Sequence, residues 1–202
     1  MKKVLYILIL SCTLSQSAQA QSLDGLLNSL SSMFGSSPQQ TQVVEKPGYP
    51  TQRQVVGTWV YSQPEIVYEG DDTLAALAIS SVKSQIPALL QRYGIVAGRE
   101  YAIVKGSKIT ARSGDKEAKA TYSYTASNGK AIITGEHNGK AITLTGYLTI
   151  KNGDITILFD AQELIAIASQ SQTFRESSTL QMMASVISSY PGIKVGATAK
   201  KQ

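Results

Sequence analysis

Apolar and polar residues alternate with a period of two through most of the chain after Gly98. This period places successive side chains on opposite faces of a β-strand. Asn-Gly pairs at 128–129, 138–139 and 152–153 interrupt the alternation, and this dipeptide tolerates the positive φ angles of tight hairpin turns. The pattern predicts a meander of six strands: Glu100–Val104, Lys108–Arg112, Ala118–Thr125, Lys130–Glu136, Ala141–Lys151 and Asp154–Asp160.

Two more strands flank the meander. Gln54–Gln63 alternates through VVGTWVYS and is expected to stop at Pro64, which lacks a backbone donor. Ile193–Lys200 alternates apolar residues with outward lysines. Eight antiparallel strands are about the number that closes a small barrel, and closure removes the exposed edges of a meander. The predicted fold is therefore mainly β, an eight-stranded antiparallel barrel.

A helical period replaces the twofold period in three segments. Asp71–Tyr93 carries one apolar stripe and follows the first strand, with Pro87 inside it, where we expect a kink. Glu163–Ser169 and Thr179–Tyr190 are two helices between the seventh and eighth strands, the latter capped by Ser177 or Ser178. Apolar stripes need a surface to pack on, and the barrel provides it.

The first twenty residues are typical of a secretory signal peptide. Lys2 and Lys3 precede an apolar run too short to span a bilayer, and Ala18-Gln19-Ala20 forms a cleavage site. The alternative is a lipoprotein signal with Cys12 as the lipid-modified residue. We favour cleavage after Ala20, which predicts export to the periplasm or the extracellular space and a mature chain without a transmembrane span.

Residues 21–51 are expected to form a short helix and a linker. Apolar residues recur at helical spacing over Leu23–Phe34, whose polar face lacks Lys and Arg and so does not favour anionic lipid. An envelope protein is the partner that this helix could bind. The Ser, Gln, Gly and Pro content of residues 35–50 indicates a linker. The globular domain is predicted to cover residues 52–202.

Composition excludes several functional classes. The formal net charge is +5, but removing Lys2 and Lys3 from the 19 basic residues leaves 17 against 14 acidic ones, a net of +3. Those charges are scattered, so nucleic-acid binding is not predicted. Cys12 is the only cysteine, and cleavage after Ala20 removes it, so the mature domain has no disulfide.

The chain offers little to a catalytic or metal site. His137 is the only histidine and lies in a predicted hairpin turn, no G-x-S-x-G motif or phosphate loop occurs, and no cofactor is predicted. Four acids, Glu65, Glu69, Asp71 and Asp72, could suggest calcium, but their spacing does not fit an EF-hand loop and acids are common at helix starts. We therefore predict neither a metal site nor an enzyme.

Aromatic residues are the best candidates for a binding site. Rings with hydroxyl groups suit a mostly apolar pocket that holds a few orienting polar groups. The alternative is that they merely fill the barrel or cover its outside. The candidate lining residues of the barrel are Trp59, Tyr61, Tyr101, Tyr122 and Tyr124.

The Gly57-Thr58-Trp59 sequence on the first strand resembles the G-x-W signature of lipocalins. More of the chain resembles a lipocalin-like domain of unknown function found in secreted proteins of gut Bacteroidetes. The resembling segments are GTWVYSQPEIVY (57–68), LLQRYGI (89–95), TLTGYL (143–148), ILFDAQEL (157–164) and SSYPGIKVG (188–196). The resemblance implies an eight-stranded barrel with helical insertions.

Two features depart from typical lipocalins. The T-D-Y segment is absent, and the last strand has no arginine to cover the tryptophan, which leaves Lys194 as a loose substitute. The resembling family carries no assigned activity. The leading hypothesis is an exported, non-enzymatic barrel that binds a small apolar or amphiphilic ligand in its interior. The alternative is a structural or interaction module of the cell envelope with a filled barrel.

Overall fold

The computed structural model describes residues 48–92, 94–137 and 140–202. The predicted signal peptide, the Leu23–Phe34 helix and the Asn138-Gly139 turn lie outside these residues. Within the described ranges, eight antiparallel strands form a closed barrel in which each strand pairs with the next and the last pairs with the first. The predicted fold class is confirmed. The strands are β1 (Gly57–Tyr68), β2 (Tyr101–Lys105), β3 (Lys108–Ser113), β4 (Lys116–Thr125), β5 (Lys130–His137), β6 (Lys140–Lys151), β7 (Asp154–Asp160) and β8 (Ile193–Lys201).

The β6–β7 hairpin shows why the Asn-Gly signal is strong. Asn152 and Gly153 both have positive φ, 53° and 86°, and Lys151 pairs with Asp154 across the turn. Two successive residues with positive φ are what a type I′ turn requires, and its twist matches that of the flanking strands. The turn residues therefore set the register of β6 against β7.

The expected end of β1 at Gln63 is wrong, because the strand continues through Pro64 to Tyr68. The register between β1 and β8 shifts between Tyr61 and Gln63, which marks a bulge next to the proline. The pairing of β1 with β2 ends at Val60. Beyond that residue, β1 pairs only with β8. A missing N–H is tolerated at such a bulge and edge.

The expected start of β1 at Gln54 is also wrong, since residues 52–55 form a short helix, α1 (Gln52–Val55). Thr51 caps it by accepting from the Gln54 N–H, while the Gln54 side chain accepts from the Thr51 N–H at 2.7 Å. This reciprocal pair is a capping box, which satisfies two backbone donors and favours a helical turn over the alternating strand.

The remaining helices are α2 (Thr73–Arg92), α3 (Ala161–Ala168), α4 (Gln172–Glu176) and α5 (Ser178–Ser189). The prediction of two helices between β7 and β8 missed α4. Ser171 caps α4 and Ser177 caps α5, each accepting a backbone N–H three residues on. Pro87 lies inside α2. Among the described helices, none combines the length and apolar character needed to cross a bilayer.

Two apolar cores hold the domain together. The first fills part of the barrel around Trp59, Tyr122 and Phe159. The second lies where α2, α3 and α5 pack on the end of β1 and the start of β8, and it includes Ile66 and Ile193. The barrel and the three helices α2, α3 and α5 are therefore joined through apolar side chains of β1 and β8.

Candidate functional site

A cavity of about 310 Å³ lies inside the barrel. This volume is at the lower end of the range of small-molecule sites, which are concave and mostly apolar. Residues of all eight strands form most of its wall, and apolar ones predominate. They include Val104, Ile109, Ala111, Ala131, Ile133, Leu148, Ile155, Ile157, Phe159 and Ala199.

One end of the cavity is closed by a floor made of α1 and Trp59. The Trp59 ring is 4% exposed, and its Nε1–H donates to the carbonyl of Val55 at 2.8 Å. The Lys201 ammonium lies 5.3 Å from the centre of the Trp59 ring and donates to the carbonyl of Gln54 at 3.3 Å. A cation over a tryptophan face is attracted by the ring quadrupole. The indole is thus fixed from α1 and from β8.

Lys201, not Lys194, is therefore the cation that covers the tryptophan. The register decides this, because Trp59 pairs with Lys201 whereas Lys194 pairs with Val67. The Lys194 ammonium lies 4.8 Å from the centre of the Tyr147 ring and 2.7 Å from a carboxylate oxygen of Glu69. The suggested substitution by Lys194 is wrong for this geometric reason.

Two of the predicted tyrosines, Tyr61 and Tyr122, join Trp59 in the cavity lining. Burial raises the pKa of the Tyr61 phenol. Burial also raises the pKa of the Tyr122 phenol, against the opposing effect of a hydrogen bond that its oxygen accepts from the Gln52 amide at 3.3 Å. Both phenols therefore stay neutral in a cavity that both residues line.

Tyr101 borders the cavity at the start of β2, where it pairs with Arg112 of β3. The Arg112 guanidinium donates to the Tyr101 hydroxyl at 3.4 Å and to a Glu117 carboxylate oxygen at 2.8 Å. These interactions raise the pKa of Arg112, which stays charged. Four polar residues border this side of the cavity: Glu100, Arg112, Ser113 and Lys116.

Tyr124, the fifth predicted lining residue, is absent from the lining. Its ring packs on the barrel core, and its hydroxyl donates to the carbonyl of Pro50 at 2.6 Å. Gly48 pairs with Ile150 in the same segment. Tyr124 therefore fastens residues 48–50 to the barrel.

Residues of two helices and one loop also line the cavity. Ile86 and Leu90 of α2, Ile95 of the following loop and Leu164 of α3 all contribute to the cavity lining. The helix that follows β1 thus covers a side of the barrel that strands leave open. We refer to these four residues as the helical cover.

Glu100 is the site residue that the sequence did not single out. It is 9% exposed and lines the cavity, and its Oε1 accepts from the Val96 N–H at 3.5 Å. Its Oε2 is buried and has no hydrogen-bond partner among the described residues. An acid at a predicted strand start gives no sequence signal of burial, because charged residues there are usually solvated.

Three of the four acids weighed as a calcium site take part in other interactions. Glu65 pairs with Lys83 at 3.2 Å, Glu69 pairs with Lys194, and Asp72 accepts from the Ala75 N–H at the start of α2. Over the described ranges, no group of three or more His, Cys, Asp and Glu residues is placed to hold a metal ion. His137 is the last residue of β5.

A family model for a lipocalin-like domain (DUF4923) matches residues 27–201 of the chain. The chain belongs to this family of lipocalin-like domains. The match covers the whole barrel and its helical insertions. No curated protein and no solved structure gives a significant match.

Alkaline pH should destabilise this lipocalin-like barrel. Because the folded state raises the pKa of Tyr61, the unfolded chain releases that proton first, near pH 10. Stability from the neutral phenol is complete below this pH and is lost as pH rises toward the folded pKa. Urea unfolding at increasing alkaline pH should show a steeper loss for the wild type than for Tyr61→Phe. Parallel losses would contradict the role of Tyr61.

Proposed function

We propose that this protein is an exported, non-enzymatic lipocalin-like protein that binds a small apolar or amphiphilic ligand inside its barrel. The observation that carries the proposal is the cavity of about 310 Å³ with its aromatic and aliphatic wall. Membership in a lipocalin-like family supports the same function at a coarser level. The signal-peptide pattern of residues 1–20 supports export.

The energetics of the cavity favour an apolar guest. Side chains that face an empty space lose dispersion contacts, and a guest that fills the space restores them. Burying its apolar surface contributes about 25 cal/mol per Å² before the costs of association. A volume of about 310 Å³ corresponds to roughly ten water-sized groups. The matching ligand therefore has a short chain or one or two rings.

The helical cover suggests how the ligand enters. α2 is joined to β1 through apolar packing and the exposed Lys83–Glu65 ion pair, and it carries no ladder hydrogen bonds to a strand. Displacing a helix from such a contact leaves every strand pair intact. We propose that α2 gates the cavity, while β1–β8 keep its shape.

Filling the cavity by mutation should abolish binding without unfolding the barrel. Ala111 lines the cavity on β3, and a phenylalanine there would occupy the ligand's space. We expect Ala111→Phe to weaken the binding of a decyl-chain probe at least tenfold. Trp59 is the only tryptophan and lies in the same cavity, so its fluorescence follows the titration.

The matched control is Ala141→Phe, which adds the same ring at an exposed position of β6. It should leave the dissociation constant unchanged. Equal binding by the wild type, Ala111→Phe and Ala141→Phe would place the probe outside the barrel and contradict the proposal.

Native mass spectrometry of protein purified from its own host gives an independent test. A reproducible added mass that solvent extraction removes would support ligand binding and reveal the ligand class. A clean apo mass, together with no probe binding, would favour the structural or interaction module. Its predicted contact is the Leu23–Phe34 helix, which lies outside the described residues.

A further inference from the structure

We propose that the ligand carries an anionic head group, a carboxylate or a similar acidic oxygen group, and that Lys116 of β4 binds this group. The head group then lies at the end of the cavity away from the floor. This inference rests on the proposed binding function and names the chemical class of the ligand. It is carried by the position of Lys116, which borders the cavity on the inward side of β4.

The strand register places Lys116 on the inward face of the barrel. Trp59 lines the cavity, and residues that lie directly opposite each other on paired strands share a face of the sheet. The register carries the inward face from Trp59 to Ala102 on β2 and then to Ala111 on β3. Ala111 lies opposite the buried Ala118, so Ala118 and Lys116, two residues before it, both point inward.

Lys116 differs from the other charged residues at the cavity. Three charged residues border the cavity in the part of the chain that the structure describes, namely Glu100, Arg112 and Lys116. Glu100 is buried, and Arg112 lies on the outward face, where its guanidinium donates to Tyr101 and Glu117. Lys116 is exposed, and a solvated lysine is protonated at neutral pH. A ligand in the cavity therefore meets a cation at this end.

Ser113 adds a second polar group beside Lys116. The two residues lie opposite each other in the pair that closes the β3–β4 hairpin, so Ser113 also points inward. An ammonium and a hydroxyl both donate hydrogen bonds, and an anionic oxygen accepts them. Asp115 in the turn is exposed and does not border the cavity. The polar chemistry at this end of the cavity thus favours an anion.

The length of β4 separates this polar end from the floor. Tyr122 accepts from the Gln52 amide of α1, six residues after Lys116. Six residues of a strand span about 20 Å. An amphiphile with its head group at Lys116 therefore directs its chain toward Trp59. At an exposed lysine the head group keeps part of its hydration, whereas deep burial of an anion would cost free energy.

The first test compares two probes with equal chains, decanoic acid and decanol, each below the concentration at which it aggregates. At neutral pH and low salt, Lys116→Gln should weaken the binding of decanoate about fivefold, the upper end of the range for an exposed ion pair. The binding of decanol should not change. Lys116→Arg keeps the charge and should bind decanoate as the wild type does. Isothermal titration calorimetry measures the dissociation constants.

The matched control is Lys119→Gln, which removes the same charge from the same strand. Lys119 lies between the buried Ala118 and Ala120, so it points outward, and its ammonium lies 3.2 Å from a Glu117 carboxylate oxygen. This variant should bind both probes as the wild type does. Added salt should also reduce the difference between the wild type and Lys116→Gln, because it screens exposed charges. Circular dichroism checks that each variant is folded.

A second test measures the orientation of the ligand in the wild type and needs no variant. Trp59 is the only tryptophan, and a bromine atom quenches its fluorescence only at close range. At equal occupancy, 10-bromodecanoic acid should quench Trp59 more strongly than 2-bromodecanoic acid, because its bromine is at the far end of the chain from the carboxylate.

The outcomes distinguish two failures. If Lys116→Gln changes the binding of decanoate and decanol equally, or if 2-bromodecanoic acid is the stronger quencher, the role of Lys116 is wrong while ligand binding stands. If neither decyl probe binds to the wild type and the native mass is clean, the proposed binding function itself is wrong.

Discussion

Replacing Gly196 with alanine should destabilise the barrel by about 3 kcal/mol or more. Gly196 lies in β8 between Leu158 of β7 and Glu65 of β1. A Cβ built on Gly196 would collide with the backbone carbonyl oxygen of Ile157. A side-chain rotation cannot relieve a clash with backbone, so β7 and β8 must separate locally and lose ladder hydrogen bonds.

Urea unfolding followed by circular dichroism measures this effect. Lys200→Ala is the control, because it changes an exposed residue of the same strand and should shift the free energy of unfolding by no more than about 0.5 kcal/mol. An equally small shift for Gly196→Ala would mean that β7 and β8 accommodate a methyl group between them. The close approach at this position would then not restrict the residue type.

Truncating Trp59 should have an effect of similar size. Removing a buried tryptophan side chain costs about 4 kcal/mol, because apolar burial is lost and a cavity remains. In this barrel the change also removes the donor to Val55 and the ring beneath Lys201. For a domain of this size the melting temperature of Trp59→Ala should fall by about 10 °C.

Trp59→Phe separates the ring from its hydrogen bond. Phenylalanine keeps most of the apolar surface but leaves the Val55 carbonyl without the indole donor, so we expect a loss of about 1 to 2 kcal/mol. Differential scanning calorimetry of both variants gives the comparison. If Trp59→Phe is as unstable as Trp59→Ala, the hydrogen bond dominates the floor. If both match the wild type, the floor does not stabilise the fold.

The strands could be predicted because their signals are local. Asn152-Gly153 and the alternation on either side lie within one hairpin, so a single segment of sequence contains both the turn and its strands. The predicted limits of β7, Asp154–Asp160, are those of the structure. The helix positions followed from apolar stripes in the same way.

The errors arose where tertiary or capping interactions override the local pattern. A proline usually ends a strand that is paired on both sides. Pro64 does not end β1, because it lies beside a bulge and past the last residue that pairs with β2. Residues 54 and 55 alternate like a strand, yet the Thr51–Gln54 capping box folds them into α1. The helix α4 is only five residues long, too short for a periodicity signal.

The site was predictable only in its aromatic part. Large rings on the inward face of a strand are visible in sequence, and four of the five chosen aromatics border the cavity. The covering of Trp59 by Lys201 depends on register across the barrel seam, and the burial of Glu100 depends on the packing of a loop. Neither feature produces a recognisable pattern within a short stretch of sequence.

The pairing of β1 with β8 has a consequence for folding kinetics. All other strand pairs join neighbours in sequence, whereas β1 pairs with the last strand, Trp59 lying opposite Lys201. Beside this pair, the bond from Lys201 to the Gln54 carbonyl in α1 links residues 147 positions apart. Closing so long a loop costs chain entropy before any contact compensates, which makes it a slow event. During synthesis the hairpins of the meander can form one after another. The barrel stays open, and its edge strands stay unpaired, until β8 has been synthesised.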